Sequence, residues 1–422
     1  MKRKLTEWRI ILGVFFHYLS ELPRLGGRNF IVLLRRLLLF LSKLKHNKYI
    51  KFGHGIRLDL YVPSYPGRAF FVAADKFKSF DGSKFRCASV LVSVTKACGF
   101  SCGHCYQRFD NGADTPLPLL VDTVRRLQDM GIAFFNIEGG EPFLTYDRLK
   151  AVCDAIDDRS EIWVNSTGMG MTLERLRELK IDAVMFSLHS HIPEKLNEFM
   201  GRDDAWECME RGVKICHEAG VPVTFNICLL KEAFYDGTFE EIMETAKKFG
   251  AALVQIIKPK PAGAWIENNT EFFSEVDIKI AVDKVNIYNF GKKCKNYPAV
   301  SMQILEECPD VFGCTAGGTD RFYLNAKGDV QPCEFLNISF GNINDEDFDI
   351  IYARMRKVFE TPGNCMLCEK YSNKIGEIFT ENKLDSLPLP PEYAKNIYEN
   401  WDSGEETDLY KRAREIKAKR GR

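Results

Sequence analysis

Residues 94–106 read VTKACGFSCGHCY and place Cys98, Cys102 and Cys105 within eight residues, in the pattern C-x3-C-x2-C. An apolar and β-branched run, residues 88–95, leads into this segment and predicts a buried strand. Three thiols this close together cannot all pair as disulfides, and thiolates are ligands for soft metals and iron–sulfur clusters. A four-iron cube needs four ligands, so a loop with three cysteines would leave one iron free to bind another group.

Two other interpretations of the cysteine loop use its residues less well. Zinc sites usually take four ligands in paired C-x2–4-C units, and His104 would be the fourth ligand here. His104 and Cys105 are adjacent, however, and cannot easily point at one ion. A redox C-x-x-C pair would use only Cys102 and Cys105 and would leave Cys98 without a role. The pattern therefore favours an iron–sulfur cluster.

The cysteine loop resembles the signature of the radical SAM superfamily, C-x3-C-x-Φ-C, in which Φ is usually aromatic and is here His104. The resemblance extends over roughly residues 86–370. It implies a [4Fe–4S] cluster whose open iron is chelated by the amino and carboxylate groups of S-adenosylmethionine (SAM). It also implies reductive cleavage of SAM to a 5′-deoxyadenosyl radical, which abstracts hydrogen from an unreactive C–H bond.

Composition sets outer limits on this interpretation. The chain has 422 residues, enough for two domains and a substantial core. Its 58 Lys and Arg residues balance 58 Asp and Glu residues, so the overall charge indicates no nucleic-acid partner. Among its 14 cysteines, seven cluster at metal-like spacings and do not form an even disulfide framework. Free thiolates need a reducing environment, which predicts a cytoplasmic location.

Strand and helix signals alternate from Ser89 onward. Six strands are predicted at residues 89–95, 133–137, 161–165, 182–188, 221–227 and 252–258. The alternation is typical of a parallel sheet with right-handed crossovers, and the family resemblance makes it a partial (β/α)6 barrel. The predicted fold class is α/β, with a small C-terminal α+β auxiliary-cluster domain and an N-terminal helical extension.

This fold divides the chain into six predicted units. They are a basic amphipathic helical extension (1–48), a connector (49–87), the radical SAM core barrel (88–265), a helical linker (266–305), the auxiliary-cluster domain (306–372) and a C-terminal tail (373–422).

The second predicted strand ends in EGGEP at residues 138–142. Two glycines let backbone approach a ligand closely, and a carboxylate can accept a hydrogen bond from an ammonium group. The segment resembles the GGEP motif of the family, which binds the amino group of the SAM methionine. The resemblance therefore assigns Gly139, Gly140 and Glu141 to SAM binding.

Polar side chains also end the next two predicted strands, and parallel barrels place their chemistry at these strand ends. Asn165 begins NSTG after the third strand, and Ser187 begins SLHS after the fourth. Both resemble family sites for the SAM ribose, and His189 stands where the family often has Asp, with its role left open. Arg202 matches a family arginine that pairs with the SAM carboxylate. His104, in the aromatic position of the cysteine loop, completes the predicted SAM contacts.

A second cysteine set follows the predicted barrel and comprises Cys314, Cys333, Cys365 and Cys368. A predicted hairpin over residues 322–331 brings the first two together, and the C-x2-C pair then closes the site. The set resembles the SPASM/twitch auxiliary-cluster domains. Because no cysteine follows Cys368, it resembles the truncated twitch form with one fully ligated [4Fe–4S] cluster. A structural zinc site remains the alternative, and Cys308 could replace one ligand.

Residues 1–48 carry eleven Lys or Arg against two Glu. Helices are predicted at residues 5–22 and 29–45, with apolar runs shorter than the roughly 18–20 residues that a membrane span needs. In the second helix, Arg35 and Arg36 are predicted to lie on a basic face opposite Leu and Phe. We therefore expect peripheral contact with an anionic membrane face. The alternative is a helical hairpin packed on its own barrel.

Three functional hypotheses follow from these features. The amphipathic N-terminus favours a radical SAM enzyme with a lipid or membrane-associated substrate. A peptide substrate, as in the enzymes that mature ribosomally made peptides, is the first alternative. The second is a non-catalytic iron–sulfur electron carrier, which would need no SAM-binding strand ends. The enzyme hypotheses imply an electron donor such as ferredoxin or flavodoxin.

Overall fold

The computed structural model describes residues 3–80, 84–266 and 273–417. The strands within these ranges are β1 (Ile50–Phe52), β2 (Gly55–Arg57), β3 (Ser89–Ser93), β4 (Phe134–Glu138), β5 (Glu161–Ser166), β6 (Ala183–Ser187), β7 (Val223–Cys228), β8 (Leu253–Ile257), β9 (Ala299–Met302), β10 (Arg321–Leu324) and β11 (Val330–Gln331).

The α-helices within the same ranges cover the outside of the sheet and both ends of the chain. They are α1 (Arg3–Ser20), α2 (Leu22–Leu25), α3 (Gly27–Lys43), α4 (Arg68–Ala74), α5 (Leu117–Asp129), α6 (Tyr146–Asp154), α7 (Leu173–Glu178), α8 (Pro193–Met200), α9 (Ala205–Ala219), α10 (Thr238–Lys248), α11 (Glu275–Phe290), α12 (Gln303–Glu306), α13 (Phe348–Val358), α14 (Leu367–Glu381), α15 (Pro391–Tyr398) and α16 (Asp408–Glu415).

One sheet of nine strands organises the molecule, in the order β11-β10-β3-β4-β5-β6-β7-β8-β9. The six predicted strands are confirmed as β3 to β8, and each pairs in parallel with the next. Their residues are almost all buried, because helices cover the outer face of the sheet and side chains fill the inner one. The α/β class and the partial barrel are therefore as expected.

The barrel is wider than the sequence indicated, because one parallel strand is added at each edge. β9 pairs with β8, although it lies in the segment predicted as a helical linker. β10 pairs with β3, although it was assigned to a separate auxiliary unit. Both strands have four residues, and so short a run carries little periodic signal until a neighbouring strand supplies its hydrogen bonds. The predicted hairpin itself is present as β10 and β11.

The predicted connector closes the end of the barrel where the strands begin. Phe52 stacks on the fully buried Trp163 of β5, with ring centroids 5.1 Å apart. The Arg57 guanidinium lies 4.3 Å from the centroid of the Trp163 ring and forms a buried ion pair with Glu161. Burial of this charge is offset by the carboxylate and by hydrogen bonds, including one to the carbonyl oxygen of Leu60. The connector is thus part of the barrel core.

The N-terminal helices pack on the protein itself, which corrects one prediction. Arg36 was expected on an exposed basic face, but it is only 1% exposed. Its guanidinium donates to the carbonyl oxygens of Ala413 (2.7 Å) and Phe77 (3.0 Å). These acceptors, from another helix and a turn, make its burial tolerable, which the sequence of α3 could not reveal. The neighbouring Leu33 and Leu37 are buried in the same apolar cluster.

The C-terminal segment is also integrated into the fold. α14 starts before the predicted tail begins, and α16 packs on α3. Lys43 and Asp408 form an ion pair of 3.2 Å between the two ends of the chain. No α-helix in the described part of the chain is both long and apolar enough to cross a bilayer.

Candidate functional site

The cysteine loop lies at the ends of the parallel strands and is held by three neighbouring segments. The Ser101 N–H donates to the carbonyl oxygen of Met200 at the end of α8 (3.2 Å). The Cys105 carbonyl oxygen accepts from the Ala264 N–H after β8 (3.0 Å). Between them these contacts fix the backbone of a loop that forms no helix or strand of its own.

The third support is the turn after β4, where two glycines touch the entrance to the cysteine loop. A Cβ added at Gly140 would lie 2.4 Å from the carbonyl oxygen of Ala97, and one at Gly139 would lie 2.6 Å from that of Thr95. The Glu141 N–H also donates to the Ala97 carbonyl oxygen (2.8 Å). No side chain fits these positions, so the glycines are required for the close approach of the two backbones.

These loops surround an open cleft at the carboxyl ends of the strands. It brings together eight of the predicted site residues: Cys98, Cys102, His104, Cys105, Gly139, Gly140, Asn165 and Ser187. Three thiols, two exposed glycine backbones and two polar strand-end side chains thus face one space. Glu141 and Arg202 are not among the residues that line it.

Glu141 is fully buried, and both of its oxygens are used within the protein. Oε1 accepts from Ser166 Oγ (2.9 Å) and the Phe143 N–H (3.1 Å). Oε2 accepts from the Thr167 N–H (2.7 Å) and Thr167 Oγ1 (2.6 Å). Burial raises the pKa of this carboxyl, and the four donors oppose that shift. Glu141 thus ties the turn after β4 to the loop after β5, and its predicted contact with a ligand ammonium group stays a prediction.

Arg202 likewise supports the cleft from outside. Its guanidinium pairs with Asp204 and donates through Nη1 to the carbonyl oxygen of Gly99 in the cysteine loop (3.2 Å). It also lies 5.5 Å from the centroid of the Phe100 ring. Arg202 thus contacts the backbone of the cysteine loop, and its predicted contact with a SAM carboxylate stays a prediction.

Glu138 is a candidate functional residue to which the sequence analysis assigned no role, although it is the first residue of the EGGEP motif. Its carboxylate accepts from the Tyr106 hydroxyl and from Asn165 Nδ2 (3.2 Å). Burial, as the main cause, raises the pKa of Glu138 to about 8. The Asn165 Oδ1 atom is buried and has no hydrogen-bond partner among the described residues, so it is available to a ligand in the cleft. The signal was present in the motif, whose first residue is a glutamate.

The aromatic side of the cleft contains two histidines. The His104 ring stacks on Phe199 at 4.4 Å and meets the His189 ring at 4.5 Å. Burial lowers the pKa of His104 to about 4 and holds that of His189 well below its usual range. His189 Nδ1 accepts from the Cys228 N–H (3.1 Å), so its role in the fold is to fix the end of β7. Both rings are neutral at neutral pH.

The auxiliary cysteines converge on one region beside the barrel. The Cys314 N–H donates to the carbonyl oxygen of Gly363 (2.8 Å), which places Cys314 next to the segment that carries Cys365. Cys368 lies in the first turn of α14, and the charge of a nearby Cys314 is one of the smaller causes, after burial, that raise the pKa of the Cys368 thiol to about 12. The hairpin of β10 and β11 lies between Cys314 and Cys333 in the chain, and the four-cysteine ligand set stays a prediction.

A buried lysine connects this region with the cleft. Lys260 lines the cleft, and its Nζ donates to Glu307 Oε2 (2.8 Å) and Glu369 Oε1 (2.7 Å). Glu369 directly follows Cys368, so the Lys260 side chain reaches from the cleft to the residue next to the second cysteine set. Sequence reasoning missed Lys260, because neither carboxylate lies near it in the chain.

Comparison with known proteins agrees with the geometry. Residues 92–249 match the model of the radical SAM superfamily, and residues 314–370 match that of the SPASM iron–sulfur cluster-binding domain. The chain thus contains a radical SAM domain and a SPASM domain, and the match gives no support to the shorter twitch form. Its cofactors are SAM and a [4Fe–4S] cluster in the radical SAM domain, with an auxiliary cluster in the SPASM domain.

Among similar proteins is the AdoMet-dependent heme synthase of Oleidesulfovibrio alaskensis, 24% identical over 70% of this chain and 83% of that protein. The probable GTP 3′,8-cyclase of Sulfurisphaera tokodaii is 24% identical over 62% of this chain and 83% of its own length. The crystal structure of Streptococcus suis SuiB bound to the precursor peptide SuiA shares the fold. It covers 72% of this chain and 76% of that one, with a TM-score of 0.55 and 16% identity.

The residues of the cleft fit these cofactors. The three thiols of the cysteine loop are ligands that iron–sulfur clusters use. The two glycines line the cleft beside them, and the Asn165 Oδ1 atom is a buried acceptor without a partner among the described residues. Such an acceptor suits the hydroxyl groups of a ribose.

Proposed function

We propose that the chain is an enzyme that cleaves SAM reductively in the cleft and abstracts hydrogen from a substrate C–H bond. When bound, the cluster and SAM supply the one-electron cleavage that yields the 5′-deoxyadenosyl radical. Cys98, Cys102 and Cys105 would hold the cluster. The observation that carries the proposal is their convergence with the Gly139–Gly140 backbone in one cleft.

The other cleft residues receive roles from their contacts. Asn165 and Ser187 would bind the SAM ribose, because both line the cleft at strand ends. His104 would pack its neutral ring against the bound cofactor and exclude water. Glu141 and Arg202 would position the cysteine loop without touching SAM, in keeping with their bonds to the protein.

For the second cysteine set we propose one auxiliary cluster held by Cys314, Cys333, Cys365 and Cys368. All four ligand positions would then be protein thiolates, so this cluster would accept or deliver an electron and would not bind substrate. Lys260 and Glu369 support that role, because they span from the cleft to Cys368. A ferredoxin or flavodoxin would supply the electron for SAM cleavage.

For the substrate we propose a lipid or a membrane-associated molecule. The support now comes from α1, because α3 buries much of its apolar face. Five apolar side chains of α1 are 39–63% exposed at spacings of three or four residues: Leu5, Trp8, Leu12, Phe16 and Leu19. Such spacing places them on one face of the helix. Lys4 and Arg9 are exposed beside this α1 apolar stripe, as an interfacial helix on anionic lipid requires.

A peptide substrate is the second candidate. The observation in its favour is the shared fold with SuiB, which was crystallised with its precursor peptide. The carrier hypothesis is weaker, because an electron carrier has no use for a polar cleft beside its cysteine loop.

Anaerobic reconstitution with SAM and dithionite tests the proposal. We expect 5′-deoxyadenosine from the wild-type protein, and more of it when the substrate class is correct. Phospholipid vesicles and synthetic peptides would be compared at equal concentrations. Cys153→Ala, at a buried thiol of α6 far from both cysteine sets in sequence, is the control for thiol replacement. A well-loaded protein that forms no 5′-deoxyadenosine would contradict the enzymatic proposal.

A further inference from the structure

A second group of potential metal ligands lies away from both cysteine sets. His46, Asp59 and Glu306 each offer one ligand atom, and these atoms all lie within 4.8 Å of one another. His46 follows α3, Asp59 belongs to the segment that closes the barrel, and Glu306 ends α12. Three separate parts of the chain therefore meet here.

The orientation of each side chain is fixed by other groups. His46 Nδ1 lies 3.0 Å from the carbonyl oxygen of Lys43, so Nδ1 carries the proton and Nε2 presents its lone pair. Asp59 accepts from the Tyr61 N–H (2.9 Å) and from Asn47 Nδ2 (2.6 Å). Glu306 accepts from the Ser301 hydroxyl. Metal-binding histidines and carboxylates are held in the same way in known sites.

The three groups do not satisfy one another. Within the part of the chain that the structure describes, no hydrogen bond joins any two of them. In the same ranges neither carboxylate forms an ion pair with a Lys or Arg. The His46 Nε2 atom is buried without a hydrogen-bond partner there. Arg57 acts on Asp59 and Arg321 acts on Glu306 only from beyond ion-pair distance, so a cation bound directly to the two carboxylates and to Nε2 would offset their burial further.

Two amides provide an independent indication of a ligand. Asn47 and Gln303 are each 4% exposed, and their carbonyl oxygens have no hydrogen-bond partner among the described residues. The Asn47 amide is bonded to Asp59, and Gln303 lines the same cavity as Asp59 and Glu306. Amide oxygens are further ligands for divalent cations.

We propose that His46, Asp59 and Glu306 bind one divalent transition-metal ion. A mixed set of imidazole and carboxylate ligands suits Mn²⁺, Fe²⁺ or Zn²⁺. The ion would join the N-terminal extension to the barrel edge. The site borders a small, mostly apolar cavity between the N-terminal helices and the barrel. It is independent of the SAM chemistry, because no cysteine ligand takes part in it.

Metal binding to the reconstituted holoenzyme tests this proposal. Because iron–sulfur clusters obscure an added iron, Mn²⁺ and Zn²⁺ are the probes, measured after equilibrium dialysis by electron paramagnetic resonance and by mass spectrometry. We expect one equivalent per chain in the wild-type protein. His46→Gln, Asp59→Asn and Glu306→Gln should each weaken binding by a factor of about 100 or more. Ser301→Ala should weaken it about 10- to 100-fold, as loss of a ligand-orienting group does.

His54→Gln is the matched control, because His54 is exposed in the turn between β1 and β2 and should leave binding unchanged. Cluster iron content and far-UV circular dichroism show whether each variant is folded. The proposal is overturned if the wild-type protein binds well under one equivalent of both metals. It is also overturned if folded His46→Gln protein binds as tightly as the wild type. Neither result would affect SAM cleavage, so the two proposals fail separately.

Discussion

Replacing Glu141 with Gln distinguishes a positioning role from direct ligand contact. The carboxylate receives four hydrogen bonds, two on each oxygen. A glutamine amide would turn one of these oxygens into a donor. On either side it would then face a backbone N–H that cannot rotate away, that of Phe143 or that of Thr167.

The magnitude follows from these contacts. An unsatisfied buried donor costs about 1–3 kcal/mol, and hydrogen bonds to a charged acceptor contribute about 1.5–3 kcal/mol each. Because Ser166 and Thr167 keep some of their bonds, we expect the free energy of unfolding to fall by about 2–5 kcal/mol. The drop should occur without SAM, since all four donors belong to the protein.

The assay is denaturant unfolding of the cluster-loaded protein without SAM, with SAM affinity measured in parallel by titration. Glu174→Gln is the matched control, because Glu174 is exposed on α7 and should change stability little. Suppose Glu141→Gln unfolds like the wild type while SAM affinity falls ten- to a hundredfold. The carboxylate would then contact the ligand ammonium group directly, and the positioning argument would be refuted.

Four further predictions test the remaining sites. Cys98→Ala, Cys102→Ala and Cys105→Ala should each abolish 5′-deoxyadenosine formation, and persistent product in all three would remove the radical SAM mechanism. The double variant Cys365→Ala, Cys368→Ala should lose about half of roughly eight iron atoms and retain uncoupled SAM cleavage; unchanged iron with bound zinc would make the second site structural. The double variant Trp8→Ser, Phe16→Ser should stay folded but should no longer co-sediment with anionic liposomes at low salt. The membrane proposal is contradicted if the wild-type protein itself stays in the supernatant. Burial raises the pKa of Glu138 in the folded state to about 8. The contribution of Glu138 to the free energy of unfolding should therefore be greatest at low pH and should decline as the pH rises from about 4.5 to about 8. Glu138→Gln should flatten this pH dependence in unfolding measurements.

The liposome test uses point changes because deletion is uninformative here. Removing α1 to α3 would expose Phe70 and Phe77, which are buried against these helices in the same apolar cluster, and aggregation would follow whatever the membrane affinity. Trp8 and Phe16 are each 63% exposed, so their replacement should cost little stability.

The predictable part of the fold consists of features whose signals are local in the chain. Strands β3 to β8 repeat an apolar run, a turn and an amphipathic helix often enough to be recognised without neighbours. The cysteine spacing and the Gly139–Gly140 turn carry their chemistry within a few residues. For the same reason the cleft was predicted at the correct end of the strands, where the carboxyl ends of parallel strands meet.

Tertiary structure alone decided which polar groups form hydrogen bonds within the protein. Glu141 and Arg202 matched functional positions in the sequence, yet their atoms bond to Thr167 and Gly99. The sequence predicted Arg36 to be a surface charge, but its guanidinium is buried and donates hydrogen bonds to carbonyl oxygens of distant segments. The partners of a side chain depend on contacts between segments far apart in the chain, and hydrophobic periodicity does not predict these contacts. His46, Asp59 and Glu306 meet for that reason, although nothing near any one of them in the sequence points to the others.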